Sequence, residues 1–183
     1  MAGGIDVDAE RAATPGCTEV VHLNYAGAAL PTAATVATVT GYLEHEARRG
    51  GYEAEAEAAD RLAAVRASAA ALLGAAPEAV VLTASDTDGW TRAVWGLVLG
   101  GRIGRGRRIL VDRAAYDSHA MALLQACRLT GAVLEVVAST AEGTLDLEAL
   151  EAALAGGDVA LACLTHVGTH RGLVNPVEEA GPR

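Results

Sequence analysis

An α/β fold with a parallel sheet covered on both faces is predicted by two observations. Four short apolar runs, residues 80–83, 109–111, 133–137 and 159–164, alternate with segments of helical pattern. The runs are apolar at successive positions, as in strands buried on both faces, rather than alternating polar with apolar.

In chain order, residues 1–18 read as a flexible leader. Residues 20–23 are a short extended piece, followed by the loop Asn24-Tyr25-Ala26-Gly27. Pro31 opens a helix that runs to about Arg49, with Thr32 near its start. Gly50-Gly51 stops it, because glycine tolerates the backbone conformations that end helices. A second helix is expected over residues 53–73, with Leu62, Val65, Leu72 and Leu73 as its apolar stripe. Gly74 and Pro77 close it. The first strand, residues 80–83, leads into Ser85-Asp86-Thr87-Asp88, a dense helix-start signal, and a helix to about Leu99. Strand 109–111, helix 118–130, strand 133–137, helix 145–154 and strand 159–164 follow. A loop over 168–175 precedes a last helix from Pro176. Three segments are thus expected: the leader 1–18, a helical part 19–75, and an α/β part 76–183.

Composition removes several classes of function. The 183 residues are 51% hydrophobic and 20% charged, which is globular rather than disordered. The net charge of −9 disfavours nucleic acid as a partner. The basic cluster Arg102, Arg105, Arg107 and Arg108 reads as a solvated turn. Cys17, Cys127 and Cys163 are odd in number and far apart, which suggests a reducing compartment, and a cytoplasmic location is expected. No secretory leader and no apolar run long enough for a membrane helix is seen, so no membrane is expected. All 14 basic residues are arginine. Without lysine, no side chain of this chain can form a Schiff base.

In parallel α/β folds, ligands bind beyond the carboxyl ends of the strands. That singles out the loops at residues 84–88, 112–118 and 165–175. In the first, Ser85 or Asp86 either caps the helix or joins a phosphate site made by the free N–H groups of the helix start. In the second, Tyr116 either stacks on a planar ligand or packs under its own helix; His119 is expected on the first helical turn, exposed. The third gathers Thr165, His166, Thr169, His170 and Arg171. His166 and His170 have a spacing that suits zinc only on a helix, with no third ligand evident, so no metal is expected. No GxSxG turn, P-loop or GxGxxG occurs.

Together these motifs resemble class V aminotransferase-fold enzymes, which depend on pyridoxal 5′-phosphate (PLP). Residues 23–31 (Leu-Asn-Tyr-Ala-Gly-Ala-Ala-Leu-Pro) and 50–55 (Gly-Gly-Tyr-Glu-Ala-Glu) resemble two opening motifs of that group. Residues 82–87 sit where it has its phosphate loop, and residues 165–177 resemble its strand-end motif. The His-Arg-Gly at 170–172 is similar to the C–S lyase of ergothioneine biosynthesis, with cysteine desulfurases and epimerases as relatives. The resemblance implies a three-layer parallel sheet of PLP fold type I, an aspartate aminotransferase-like large domain. It implies a cofactor held by Ser85, Asp86, Thr87, Tyr116 and Thr169. It places Asn24, Tyr25, His170 and Arg171 on the side of a small amino-acid substrate.

Two departures stand out. Asp86 replaces a small neutral residue beside the cofactor phosphate, and Ala115 replaces an acid before the stacking aromatic. The resemblance also implies a Schiff-base lysine, an acid facing the pyridine nitrogen, and seven strands. The chain shows four strands and neither group, so the domain is expected to be incomplete at the C-terminus. The expectation is the N-terminal portion of a C–S bond-cleaving PLP enzyme, homodimeric in full-length form, and inactive as this chain alone. Half of a split enzyme with a complementing C-terminal chain, or a domain binding PLP or another phosphate without covalent attachment, are the alternatives.

Overall fold

The computed structural model describes residues 4–25, 27–169 and 171–181. The chain divides into two compact units, Met1–Val81 and Leu82–Arg183.

The first unit is helical. The segment expected as a leader carries a helix α1 (Val7–Ala12) and a 3-10 turn (Pro15–Thr18). Asp6 caps α1 through the N–H of Ala9, an Asx cap hidden in an otherwise unpatterned stretch. Helix α2 (Ala33–Arg49) starts one residue beyond its cap, Thr32, whose hydroxyl accepts from the N–H of Thr35 at 3.2 Å. Gly50, at φ +93°, ends it in a conformation only glycine adopts without strain.

The single helix expected over 53–73 is two helices, α3 (Gly51–Glu57) and α4 (Ala59–Leu73), broken at Ala58. The side-chain contacts of Glu57 lie one residue before the break. Its carboxylate takes Arg49 at 2.6 Å and His45 at 2.7 Å, tying the end of α3 back to α2. Small residues make the contact, with Ala54, Ala58 and Ala70 buried. The larger apolar side chains of the expected stripe, Leu62, Val65, Leu72 and Leu73, stay exposed, as do Val36, Val39 and Leu43 on α2.

The second unit holds α5 (Asp86–Leu99), β1 (Arg108–Val111), α6 (Asp117–Thr130), β2 (Val133–Val136), α7 (Leu147–Leu154), β3 (Val159–Cys163) and a short α8 (Val177–Ala180). The sheet is parallel, in the order β2-β1-β3. Ile109 and Val111 point to one face, where α5 and α6 cover them with Val94, Leu123 and Ala126. Leu110 points to the other, where Leu145, Leu150 of α7 and Ala180 of α8 close over it. Both faces of β1 are therefore dry, which is why its sequence does not alternate. These are the three layers of the expected architecture.

Two expectations change here. The run at 80–83 is extended but joins no ladder among the described residues. Val81 is 77% exposed and Leu82 50%. A strand is defined by a hydrogen-bonded neighbour, and this run has none within the described sheet. The arginine cluster is not merely a solvated turn. Arg108 enters β1 and bridges Glu135 of β2, at 2.6 Å, to Asp158 before β3, at 2.7 Å. It also donates to the carbonyl of Ala153 at 2.6 Å. This cation ties the amino ends of β1 and β3 to Glu135 within β2.

Candidate functional site

The carboxyl ends of β1 and β3 are pinned by one buried acid. Asp112, 4% exposed, follows β1 directly. Its Oδ1 accepts from the N–H of Ala114 at 2.7 Å, and its Oδ2 accepts from the N–H of Thr165 after β3. Asn175, also 4% exposed, does the same for the neighbouring loops. It donates to the carbonyl of Thr165 and accepts from the N–H of Leu145, both at 2.7 Å. No polar side-chain atom is left buried and unpaired among the described residues. The loops at the carboxyl ends of the strands are thus set by polar clamps, not by packing alone.

Helices α5 and α6 run back along the sheet, so both present their N-termini at this edge. Ser85 is the N-cap of α5, accepting from the N–H of Asp88 at 3.2 Å. That leaves the N–H groups of Asp86 and Thr87, at the head of the helix, without an intrahelical acceptor. Two side-chain pairs join the helix ends. The Thr87 and Ser118 hydroxyls lie 3.0 Å apart, and Asp86 Oδ2 lies 2.5 Å from His119 Nε2. Behind them the His119 ring stacks on Trp90, with centroids 4.5 Å apart and planes 23° apart. Trp90 donates its indole N–H to the His119 carbonyl. Tyr116, 44% exposed, stands edge-on to His119 at 5.9 Å.

The structure therefore gathers four of the sequence-predicted residues, Ser85, Asp86, Thr87 and Tyr116, in one cluster. It resolves one alternative left open above: Ser85, not Asp86, is the cap. Asp86 turns aside to His119. His119 is not fully exposed as expected, its side chain being 23% accessible, because Trp90 covers one ring face.

Thr169 and Arg171 belong to a tight loop closed by an antiparallel bridge between Val167 and Val174. Thr169 is exposed near its tip. Arg171 has φ +73°, the one described non-glycine residue with positive φ, followed by Gly172 at +63°. That turn directs Arg171 into a cleft of about 600 Å³ lined with Arg113, Ser139, Thr140 and Asn175. His170 lies outside the described residues.

Asn24 and Tyr25 belong to the first unit. Asn24 closes its own loop, its Oδ1 accepting from the N–H of Gly27 at 3.2 Å. The Tyr25 hydroxyl meets Cys17 at 3.9 Å, which raises its pKa, and its ring sits edge-on to His22. Their neighbour Ala26 lies outside the described residues.

Sequence reading missed Asp112, Asn175, Trp90 and Ser118. Asp112 was signalled by an acid placed directly after an apolar strand, and Asn175 by its position before Pro176. Nothing local to Trp90 or Ser118 shows that they meet a helix some thirty residues away. Among the described residues no cluster of His, Cys, Asp and Glu suits a metal ion.

The fold and this strand-end cluster define a class of protein. Residues 21–183 match the aminotransferase class-V family, and the chain belongs to that family. It is 32% identical over 151 residues to a probable cysteine desulfurase of Xylella fastidiosa, covering 81% of this chain and 36% of the relative. It is 30% identical over 134 residues to a cysteine desulfurase of Enterobacter sp. strain 638, covering 72% and 32%. The chain thus spans about a third of the length of these curated relatives. Among solved structures, the apo cysteine desulfurase of Thermococcus onnurineus superposes with a TM-score of 0.83 at 23% identity, over 100% of this chain and 45% of that one. A mutant of C-DES with glycine covalently linked to its PLP cofactor superposes with a TM-score of 0.83 at 19% identity, over 94% and 44%. The fold is accordingly that of PLP-dependent enzymes of this family, and PLP is the family's cofactor.

The residues present fit part of that cofactor. An anionic phosphate suits the open N–H groups at the head of α5 and the Thr87–Ser118 hydroxyl pair. A planar ring suits the exposed face of Tyr116. For covalent attachment this chain has no lysine.

Proposed function

We propose that this chain supplies the phosphate- and ring-binding half of a PLP-dependent enzyme that cleaves a C–S bond in a sulfur-containing amino acid. The observation that carries the reading is the convergence of the α5 head, the Thr87–Ser118 pair and Tyr116 at one end of the parallel sheet. The desulfurase relatives support sulfur chemistry, and the His-Arg-Gly stretch supports a lyase of the ergothioneine type.

When bound, PLP supplies an electron sink for the bonds around the amino acid's α-carbon. The chain's own residues then bind and orient. The N–H groups of Asp86 and Thr87 and the Thr87 hydroxyl would hold the phosphate, with Ser118 keeping that hydroxyl in place. Tyr116 would stack on the ring and shield one face from water. Thr169 would serve the ring hydroxyl, and Arg171 and Arg113, which line one cleft, would attract the substrate carboxylate. Asp112 keeps the strand-end loops from drifting apart. The proton and bond chemistry at the α-carbon needs an amine that this chain does not contain. The chain by itself is therefore expected to bind PLP and to turn nothing over.

Equilibrium dialysis tests this. PLP should saturate the chain reversibly, and pyridoxal, which lacks the phosphate, should bind much more weakly. No saturable binding at millimolar PLP, or equal binding of pyridoxal, sinks the reading. Release of pyruvate or sulfide from cysteine by the purified chain would refute the expected inactivity.

A second reading, half of a split enzyme, is favoured by the unpaired extended run at 80–83 with Val81 and Leu82 exposed. A complementing chain carrying the lysine would add a strand there. Co-expression yielding a stable hetero-complex would distinguish it.

A further inference from the structure

The phosphate loop of this chain carries an acid where one should do harm. Asp86 is the first residue of α5, and its carboxylate would compete with a phosphate for the same N–H groups and repel it. The structure shows where that carboxylate goes. Its Oδ2 sits 2.5 Å from His119 Nε2, on the neighbouring helix. The imidazole is itself held: it stacks on Trp90 and lies edge-on to Tyr116, and Trp90 donates to its backbone carbonyl. Asp88, in the same first turn of α5, is paired with Arg92 at 2.7 Å. Ser85, not Asp86, fills the capping position.

We propose that His119 is a positioning residue for cofactor binding: it draws the Asp86 carboxylate off the head of α5 and so keeps that helix end open to a phosphate. The inference rests on the PLP reading above, and adds a residue to it. The imidazole does not touch the phosphate; it acts through Asp86. With the imidazole removed, the carboxylate is free to swing back over the N–H groups of Asp86 and Thr87. A carboxylate brought within about 6 Å of a bound phosphate lowers its affinity by between about threefold, with the dielectric of water, and about a hundredfold, with that of a protein surface, so a solvent-facing carboxylate falls near tenfold.

The test is a double-mutant cycle on the 183-residue chain, with PLP and pyridoxal as probes. H119A should weaken PLP binding about tenfold and leave pyridoxal unchanged. D86A should bind PLP at least as tightly as the parent. D86A/H119A should recover the affinity that H119A lost, and H119Q, which still donates to Asp86, should retain it. A purely structural role, in which His119 matters by stacking on Trp90, gives a different pattern. H119A would then lose affinity equally with Asp86 present or absent, and for both probes. That pattern overturns the inference, as does weaker PLP binding by D86A, a variant that leaves the Trp90 stack intact. No saturable PLP binding by the parent chain would remove the underlying reading and this inference with it. Saturable binding without rescue removes the inference alone.

Discussion

Replacing Asp112 separates a clamp from a spectator. The carboxylate is 4% exposed and accepts two backbone N–H groups, from Ala114 at 2.7 Å and from Thr165. Hydrogen bonds to a charged acceptor are worth about 1.5–3 kcal/mol each, and a donor left buried without a partner costs about 1–3 kcal/mol. Asp112→Ala removes both bonds and strands both donors, so a loss of about 3–5 kcal/mol is expected. Asp112→Asn keeps one acceptor oxygen but turns an NH₂ against the second N–H, so about half that loss should remain. A domain has roughly 5–15 kcal/mol in total, so the alanine variant should approach the threshold of folding. Urea unfolding followed by tryptophan fluorescence measures the difference. A loss below about 1 kcal/mol for alanine, or an asparagine variant as damaged as alanine, would refute the clamp.

Further outcomes follow from the same structure. Leu123→Ala empties a fully buried position against Ile109 and Val111 and should cost about 2–5 kcal/mol in the same assay. Tyr116→Ala should weaken both PLP and pyridoxal, since the stacked ring is common to both, whereas Thr87→Val should weaken PLP alone. The Cys163 thiol is pushed up to about 12 by burial, with the Asp112 charge adding to it. Burial also raises Cys127. Exposed Cys17 should therefore react with a disulfide reagent at pH 8 well before the other two, and all three should react on unfolding. Arg108, and to a lesser degree the neighbouring charges, holds the Asp158 carboxyl below its ordinary range. A depressed carboxyl pKa gives stability that is present above the unfolded value, near pH 4, and is lost as pH falls through the folded value. Arg108→Met should flatten that part of the acid limb in a denaturation series.

Much of the fold was legible. The runs at 109–111, 133–137 and 159–164 became the three strands because side chains buried on both faces leave a continuous apolar signature. Helix starts at Thr32 and Ser85 were readable because a capping hydroxyl acts within three residues of its own position. The break at Ala58 was not, because α3 and α4 share one helical composition and the ion pairs beside the break come from α2. The run at 80–83 failed as a strand for a related reason. Apolarity makes a segment want a neighbour, but pairing depends on whether one is present.

The same division holds at the site. Sequence alone determined the chemistry on offer: no lysine, a helix head behind Ser85, an aromatic at 116, an acid at 86. Those properties live in single residues and short spacings. Only the tertiary structure decided what the acid does. Asp86 and His119 are thirty-three positions apart, and nothing local links a carboxylate on one helix to an imidazole on the next. The packing of α5 against α6 brings them together, and turns an acid that reads as a defect in a phosphate site into half of a hydrogen-bonded pair beside it.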